Sequence, residues 1–169
     1  MRCKPVDSTP CRTTVLRAAM FCLVTMSPAA HAIDVTVSAG SSVTASRDFT
    51  PTVNMDVHGT TRHWSRLAWQ PVVSIGWLGG RDIRPSLDDN TAFVAAGTRV
   101  VDWWRGAFFS MQVAYVSKTT DAVSSHVQFV STLGWEGDTF VWMVRHISNA
   151  NFFGGKNLGE TMLLAGMRF

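Results

Sequence analysis

From Asp34 onward, apolar and polar positions alternate in runs of about ten residues, and no stretch sustains the 3.6-residue period of an amphipathic helix. β-Branched and aromatic residues fill the runs, while Gly, Pro, Asn and Asp separate them. Eight runs stand out, over 33–45, 60–70, 72–79, 92–103, 107–117, 124–135, 138–149 and 160–169. Most reach the roughly 9–11 residues that a tilted strand needs to cross a bilayer, and the third is the weakest.

The connections carry as much information as the runs. Residues 46–59 make a long connection, Pro71 alone joins the second run to the third, and 80–91 is long again. Residues 104–106 are short, 118–123 of medium length and polar, Glu136 and Gly137 form a tight turn, and 150–159 is long. This alternation gathers the longer loops at one end of an up-and-down sheet, the asymmetry of transmembrane barrels with short periplasmic turns. An even strand number returns both termini to the periplasmic end. The expected fold is all-β: a single eight-stranded antiparallel up-and-down transmembrane β-barrel over 33–169, set in an outer membrane.

Residues 1–32 read as a cleaved signal peptide. Arg2, Lys4, Arg12 and Arg17 give a basic start, residues 18–26 a short apolar centre, and Ala30-His31-Ala32 a small-residue cleavage pattern. Removing this segment changes the chemistry of the whole. All three cysteines (Cys3, Cys11, Cys22) leave with it, which excludes a disulfide scaffold, a thiol enzyme and a Cys-ligated metal site. The 137 residues that remain carry 11 basic and 11 acidic side chains, so the alkaline character of the full chain is no argument for nucleic acid. All seven tryptophans stay. No apolar run approaches 20 residues, which rules out a polytopic helical membrane protein.

Two further features favour a membrane barrel over a soluble sandwich or lipocalin-like barrel. Phe169 ends the chain after an apolar run, in the manner of an outer-membrane insertion signal, and Trp103, Trp104, Phe108 and Phe109 crowd one turn like an interfacial girdle. A soluble barrel explains the strands but neither the terminal Phe nor the 16% charged content.

Candidate chemistry centres on Arg145-His146-Ile147-Ser148-Asn149-Ala150. On a strand, residues two apart share a face, so His146 and Ser148 project side by side, and a base beside a hydroxyl is the start of a nucleophilic arrangement. Arg145 is costly against lipid and should face the lumen, which turns His146 and Ser148 outward toward the bilayer at the outer end of the seventh run. Glu160 opens the eighth run, where an antiparallel neighbour would bring it beside His146 to hold the imidazole's tautomer. Strict alternation from a lipid-facing Phe169 puts Glu160 inward, and a bulge at Gly159 or Gly166 would correct the parity. A polar loop at a strand end explains the same residues without catalysis. The other histidines of the exported chain, His58, His63 and His126, have no assigned role, and no metal-ligand spacing is present.

The His146-Ile147-Ser148-Asn149-Ala150 run, with Glu160 fourteen positions after His146, resembles the lipid A 3-O-deacylase (PagL) family of small outer-membrane enzymes. The resemblance implies an eight-stranded barrel, no cofactor, and a catalytic triad of Ser148, His146 and Glu160 in a lipid-facing groove. It also implies lipid A (lipopolysaccharide) as substrate, met from the outer leaflet, with Asn149 or Asn157 as oxyanion candidates. Asn157-Leu158-Gly159 lacks the proline that relatives often carry there. Phe152, Phe153 and Trp142 are candidates to hold an acyl chain, and Arg81, Arg84 and Lys156 to meet lipid A phosphates. Rival readings are a non-catalytic structural or adhesive barrel and an outer-membrane phospholipase. Outer-membrane lipids are expected partners and nucleic acid is not; a homodimer stays open.

Overall fold

The computed structural model of the chain describes residues 33–81, 87–152 and 158–169. Residues 1–32, read from sequence as a signal peptide, and Arg84, Phe153, Lys156 and Asn157 lie outside the described residues. The described chain forms β1 (Asp34–Thr44), β2 (Phe49–His58), β3 (Arg62–Trp64), β4 (Leu67–Leu78), β5 (Thr91–Trp104), β6 (Ala107–Val116), β7 (Val127–Glu136), β8 (Phe140–Ser148) and β9 (Glu160–Arg168). Every pairing is antiparallel, each long strand joins its neighbours, and β2 pairs with β4 to close the cylinder. Eight strands make the barrel wall, and β3 is a short flap that pairs only with β4. Closure pairs both edges of every strand in the wall, which an open sheet in hydrocarbon could not do.

The expected strand count is met by two errors that cancel. β2 falls inside 46–59, read from sequence as a connection, because Pro51, Asn54 and Asp56 look like turn residues. They belong instead to a strand whose Thr50, Thr52, Asn54, Asp56 and His58 point into the barrel, with Pro51, Val53 and Met55 outward. Conversely, the second and third runs merge into β4 straight through Pro71. Proline is tolerated there because the β3 pairing ends at Arg62↔Trp69 and the β2 pairing begins at His58↔Val72, so Pro71 sits between two ladders. The connections at the outer end are therefore 45–48, 79–90, 117–126 and 149–159, and those at the other end are 59–66, 105–106 and 137–139. The first two connections exchange their expected lengths. The orientation of every later strand is as expected.

The two faces of the wall differ in kind. Outward stand Val37, Val53, Ile75, Trp77, Val94, Met111, Val113, Leu133, Trp142, Val144 and Leu163, all exposed. Inward, an apolar cluster around Phe93, Phe108, Val130, Val141, Met143, Ile147, Met162 and Leu164 shares the lumen with polar and charged side chains. An apolar exterior around a largely polar interior is the inverse of a soluble barrel and the pattern of outer-membrane barrels. Phe169 continues the outward set of β9 and its backbone pairs with Val35, so the terminal aromatic faces lipid as expected.

Three arginine–carboxylate groups occupy the lumen. Near the outer end, Arg81 holds Glu160 by two hydrogen bonds of 2.7 and 2.9 Å. At mid-height, Arg145 holds both oxygens of Asp56 at 2.9 Å and also bonds Asn54 and Thr132. At the inner end, Arg99 pairs with Glu136 and contacts His58, while Arg168 pairs with Asp34 at 2.9 Å. Arg145 faces the lumen, as its cost in lipid requires.

Candidate functional site

The local rules of β8 explain how an imidazole and a hydroxyl come to share the lipid-facing wall. Along Phe140–Ser148, Val141, Met143, Arg145 and Ile147 are buried, while Phe140, Trp142, Val144 and His146 are exposed and Ser148 is half-buried. His146 and Ser148 therefore project from the same outward face, the one on which sequence reasoning put them. At about 3.4 Å per residue and a tilt near 40°, Ser148 lies on the order of 20 Å above Phe140 along the barrel axis. With Phe140 in the inner girdle, that height is the outer edge of an apolar band roughly 25 Å tall. Among the described residues no hydrogen bond joins His146 to Ser148, whose Oγ accepts the Ala150 N–H at 3.2 Å.

Glu160 does not join them. The β8–β9 register runs without interruption from Phe140↔Met167 to Ile147↔Glu160, so the anticipated bulge at Gly159 or Gly166 is absent and alternation holds throughout. Glu160 is 2% exposed and points into the lumen, where Arg81 and Ser42 take its carboxylate. The expectation of a Ser148/His146/Glu160 triad is corrected on this point: the carboxylate is on the opposite side of the wall from the imidazole. Directly across from His146 stand Ser131 on β7 and Thr161 on β9, and Thr161 Oγ1 lies 3.0 Å from His146 Nδ1. Sequence reasoning passed over Thr161; the signal was available, because Thr161 has the parity of Phe169 and Glu160 does not.

Gly159 closes the site from above. It adopts φ +67°, and a Cβ there would come within 2.8 Å of His146 Cε1. Its N–H donates to the Ala122 carbonyl at 3.0 Å, and Leu158 N–H donates to Asp121, so the 117–126 loop holds this backbone against the imidazole. Glycine is needed here both for the left-handed conformation and for the close approach.

Asn149 also departs from expectation. Its side chain is fully buried, its amide donates to Ser124 Oγ at 3.0 Å and Ser125 Oγ at 3.3 Å, and its Oδ1 accepts the Asn151 N–H at 2.8 Å. A side-chain amide so engaged braces the 117–126 loop and is turned away from Ser148, so Asn149 does not serve as an oxyanion donor through that group. Phe152 is exposed and meets Phe129 edge to face, with ring centroids 6.2 Å apart. Phe129 is the cross-strand partner of Ser148. Two aromatic rings thus flank the hydroxyl on its β7 side, and Trp142 stands lower on the same face.

Arg81, a candidate for lipid A phosphate, is instead 5% exposed and committed to Glu160 and the Asp48 carbonyl. Among the described residues no group of three or more His, Asp or Glu side chains could hold a metal ion. The site as built presents an imidazole, whose Nδ1 meets a threonine hydroxyl, on the same outward face as a serine hydroxyl.

No family model and no curated protein matches the chain. Among solved structures it is similar to Ail, the attachment invasion locus protein of Yersinia pestis, determined in complex with the heparin analogue sucrose octasulfate. The similarity amounts to 13% identity, 81% of this chain and 99% of that chain, with a TM-score of 0.46. That is a likeness in the course of the chain, and the assignment of an outer-membrane barrel rests on the eight-stranded closure and the inverted apolar pattern described above.

Proposed function

We propose that the protein is an outer-membrane esterase acting on outer-leaflet lipid, with Ser148 as nucleophile and His146 as general base. The observation that carries this reading is an imidazole and a hydroxyl two residues apart on the outward face of one strand, near the outer end of a mostly apolar wall. Polar groups against hydrocarbon are costly and call for a use, and a base beside a hydroxyl has one. The height of Ser148 agrees with it, since the ester linkages of a lipid lie where headgroup meets acyl chain. Thr161 Oγ1 accepts from Nδ1–H and so leaves the Nε2 lone pair free. Nε2 takes the Ser148 proton as Oγ attacks the acyl carbonyl, and the leaving alkoxide is protonated from His146. Water then cleaves the acyl-serine, regenerating the hydroxyl and releasing the fatty acid. His146 and Ser148 come into hydrogen-bond reach in the substrate complex, as catalytic pairs that are loose in the free enzyme commonly do.

The substrate class follows from the resemblance of residues 146–150: the 3-O-linked 3-hydroxyacyl chain of lipid A. Phe129 and Phe152 would lie along that chain.

A second reading has its own observation. Glu160, which the same resemblance makes catalytic, is locked into the lumen by Arg81 and Ser42, as in a barrel whose outer end is built for rigidity. That favours a non-catalytic structural or adhesive barrel. Mass spectrometry of lipid A and phospholipids separates the readings, with purified full-length chain, wild type or Ser148→Ala, incubated with each. Loss of one 3-hydroxyacyl group, by wild type only, is the expected result. Cleavage of phospholipid alone makes the substrate phospholipid, and no cleavage of either lipid by wild type leaves the non-catalytic barrel.

A further inference from the structure

The opposite end of the β7–β8 hairpin carries a second feature on the lipid-facing wall. A surface cavity of about 540 Å³ is lined by Trp135, Gly137, Asp138, Thr139, Phe140 and Trp142. Trp135 and Trp142 are direct cross-strand partners, and the neighbour of Trp142 on β9 is Ala165, whose methyl leaves that flank low. The Trp135 indole is anchored through its ring nitrogen, and its far edge lies over Gly137. Its Nε1 donates to the Arg105 carbonyl at 2.7 Å, and the far edge of its ring lies 3.0 Å from where a Cβ on Gly137 would be. The aromatic wall is therefore in place before any ligand arrives, which reduces the ordering cost of binding.

The charges around the cavity are complementary to one kind of lipid. Asp138 is exposed at its rim and, among the described residues, has no hydrogen-bond or ion-pair partner. Aromatic faces attract cations, and a carboxylate beside them adds a full opposite charge and a hydrogen-bond acceptor. Arg105, a cation, is exposed on the adjoining turn, whose backbone carbonyl takes the Trp135 indole N–H. An ammonium beside a phosphate is the pattern of a zwitterionic headgroup. The cavity lies on the wall that hydrocarbon covers, at the end with the short turns and both termini, where the inner leaflet meets the barrel.

We propose that this cavity is a headgroup site for an inner-leaflet phospholipid bearing a primary ammonium. The ammonium sits between Asp138 and the rings of Trp135, Phe140 and Trp142, and the acyl chains run up the wall past Leu133 and Val144. This site is separate from His146 and Ser148 and does not depend on ester hydrolysis.

The test uses the full-length chain folded into vesicles of equal phosphatidylethanolamine and phosphatidylglycerol, gently extracted and weighed by native mass spectrometry. Wild type retains phosphatidylethanolamine over phosphatidylglycerol by fivefold or more, and Asp138→Asn brings the ratio close to one. Trp142→Leu lowers retention of both lipids. Heat-dependent gel mobility establishes that each variant is folded. If Trp142→Leu does not fold, tryptophan quenching of the wild type by acyl-brominated lipids replaces it, stronger with the ethanolamine than with the glycerol headgroup. Equal retention by wild type, equal quenching, or an unchanged ratio in Asp138→Asn overturns the proposal.

Discussion

Arg145, Ile147 and Glu160 form one side of the wall near the outer end of β8 and β9, and His146, Ser148 and Thr161 form the other. The two sets interleave residue by residue, yet they live in different solvents. On the lumen side every charge is neutralised at close range: Arg145 by Asp56, and Glu160 by Arg81. On the lipid side, among the described residues, the polar groups are sparsely bonded, with His146 held by Thr161 alone and Ser148 accepting one backbone N–H. On the proposed reading, the contrast is one between stability and reactivity. A buried network that satisfies itself is committed to structure, whereas a base and a hydroxyl with spare bonding capacity can take part in a reaction.

Ser148→Ala attacks the reactive side alone and carries the largest expected effect. Ester hydrolysis falls roughly 10⁴–10⁶-fold, the scale on which a serine nucleophile is lost in other enzymes, while the unfolding midpoint in urea stays where it was. Turnover measured on lipid A micelles checks the first part. A loss of stability equal to that of a lumen variant would mean that the hydroxyl is structural.

Arg145→Ala makes the matching change on the lumen side. Removing the guanidinium strands Asp56, which is 2% exposed and pairs with no other residue by an ion pair among the described contacts. Breaking such a buried pair costs about 3–5 kcal/mol. The double variant Arg145→Met with Asp56→Leu recovers most of that loss, because the stranded charge is gone as well. Urea unfolding of the vesicle-inserted protein measures both. A double variant as unstable as the single one would show that the ion pair itself, and not the avoidance of a bare carboxylate, holds the middle of the barrel.

Glu160→Gln asks on which side of the comparison residue 160 belongs. The substitution keeps the shape and leaves Arg81 facing a neutral acceptor, for a loss of about 1–3 kcal/mol. Hydrolysis per folded molecule should stay within about threefold of wild type. A drop of more than about 100-fold at unchanged stability would instead return Glu160 to the catalytic set and require the start of β9 to turn over when substrate binds.

What could be read from the sequence followed the same divide. The lipid-facing pattern was legible because it has one signature: apolar residues with period two, an inward arginine, and a terminal aromatic. From Arg145 alone the outward direction of His146 and Ser148 followed. The lumen was harder to read, because its side chains are polar in the way that loop residues are. Asn54 and Asp56 mimic a turn, and β2 disappeared into a connection. Pro71 looked like a break because proline usually ends a ladder, and nothing local indicates that the ladder passes from one partner to another at that residue. Glu160 was assigned from its place at the start of the neighbouring strand, and then by resemblance, against its own parity, and the parity prevailed: an uninterrupted register leaves a carboxylate no way across the wall. The commitment of Asn149 to Ser124 and Ser125 depends on how a distant loop folds over the barrel end, and strand periodicity contains no record of that.

Thr161→Val is the finest cut, because it changes one atom on the reactive side and nothing in the lumen. Valine keeps the branched shape that suits a strand and removes only the acceptor of the His146 Nδ1 proton. The imidazole is then free to rotate and to exchange tautomers, and the population with a bare Nε2 aimed at Ser148 shrinks. The expected loss is about tenfold in kcat, equivalent to one hydrogen bond of about 1.4 kcal/mol, with KM nearly unchanged because the threonine touches no substrate. Thr161→Ser should restore most of the rate, because it keeps the hydroxyl that accepts from Nδ1. A purely packing role would behave differently: serine, which lacks the methyl, would then be the worse substitution.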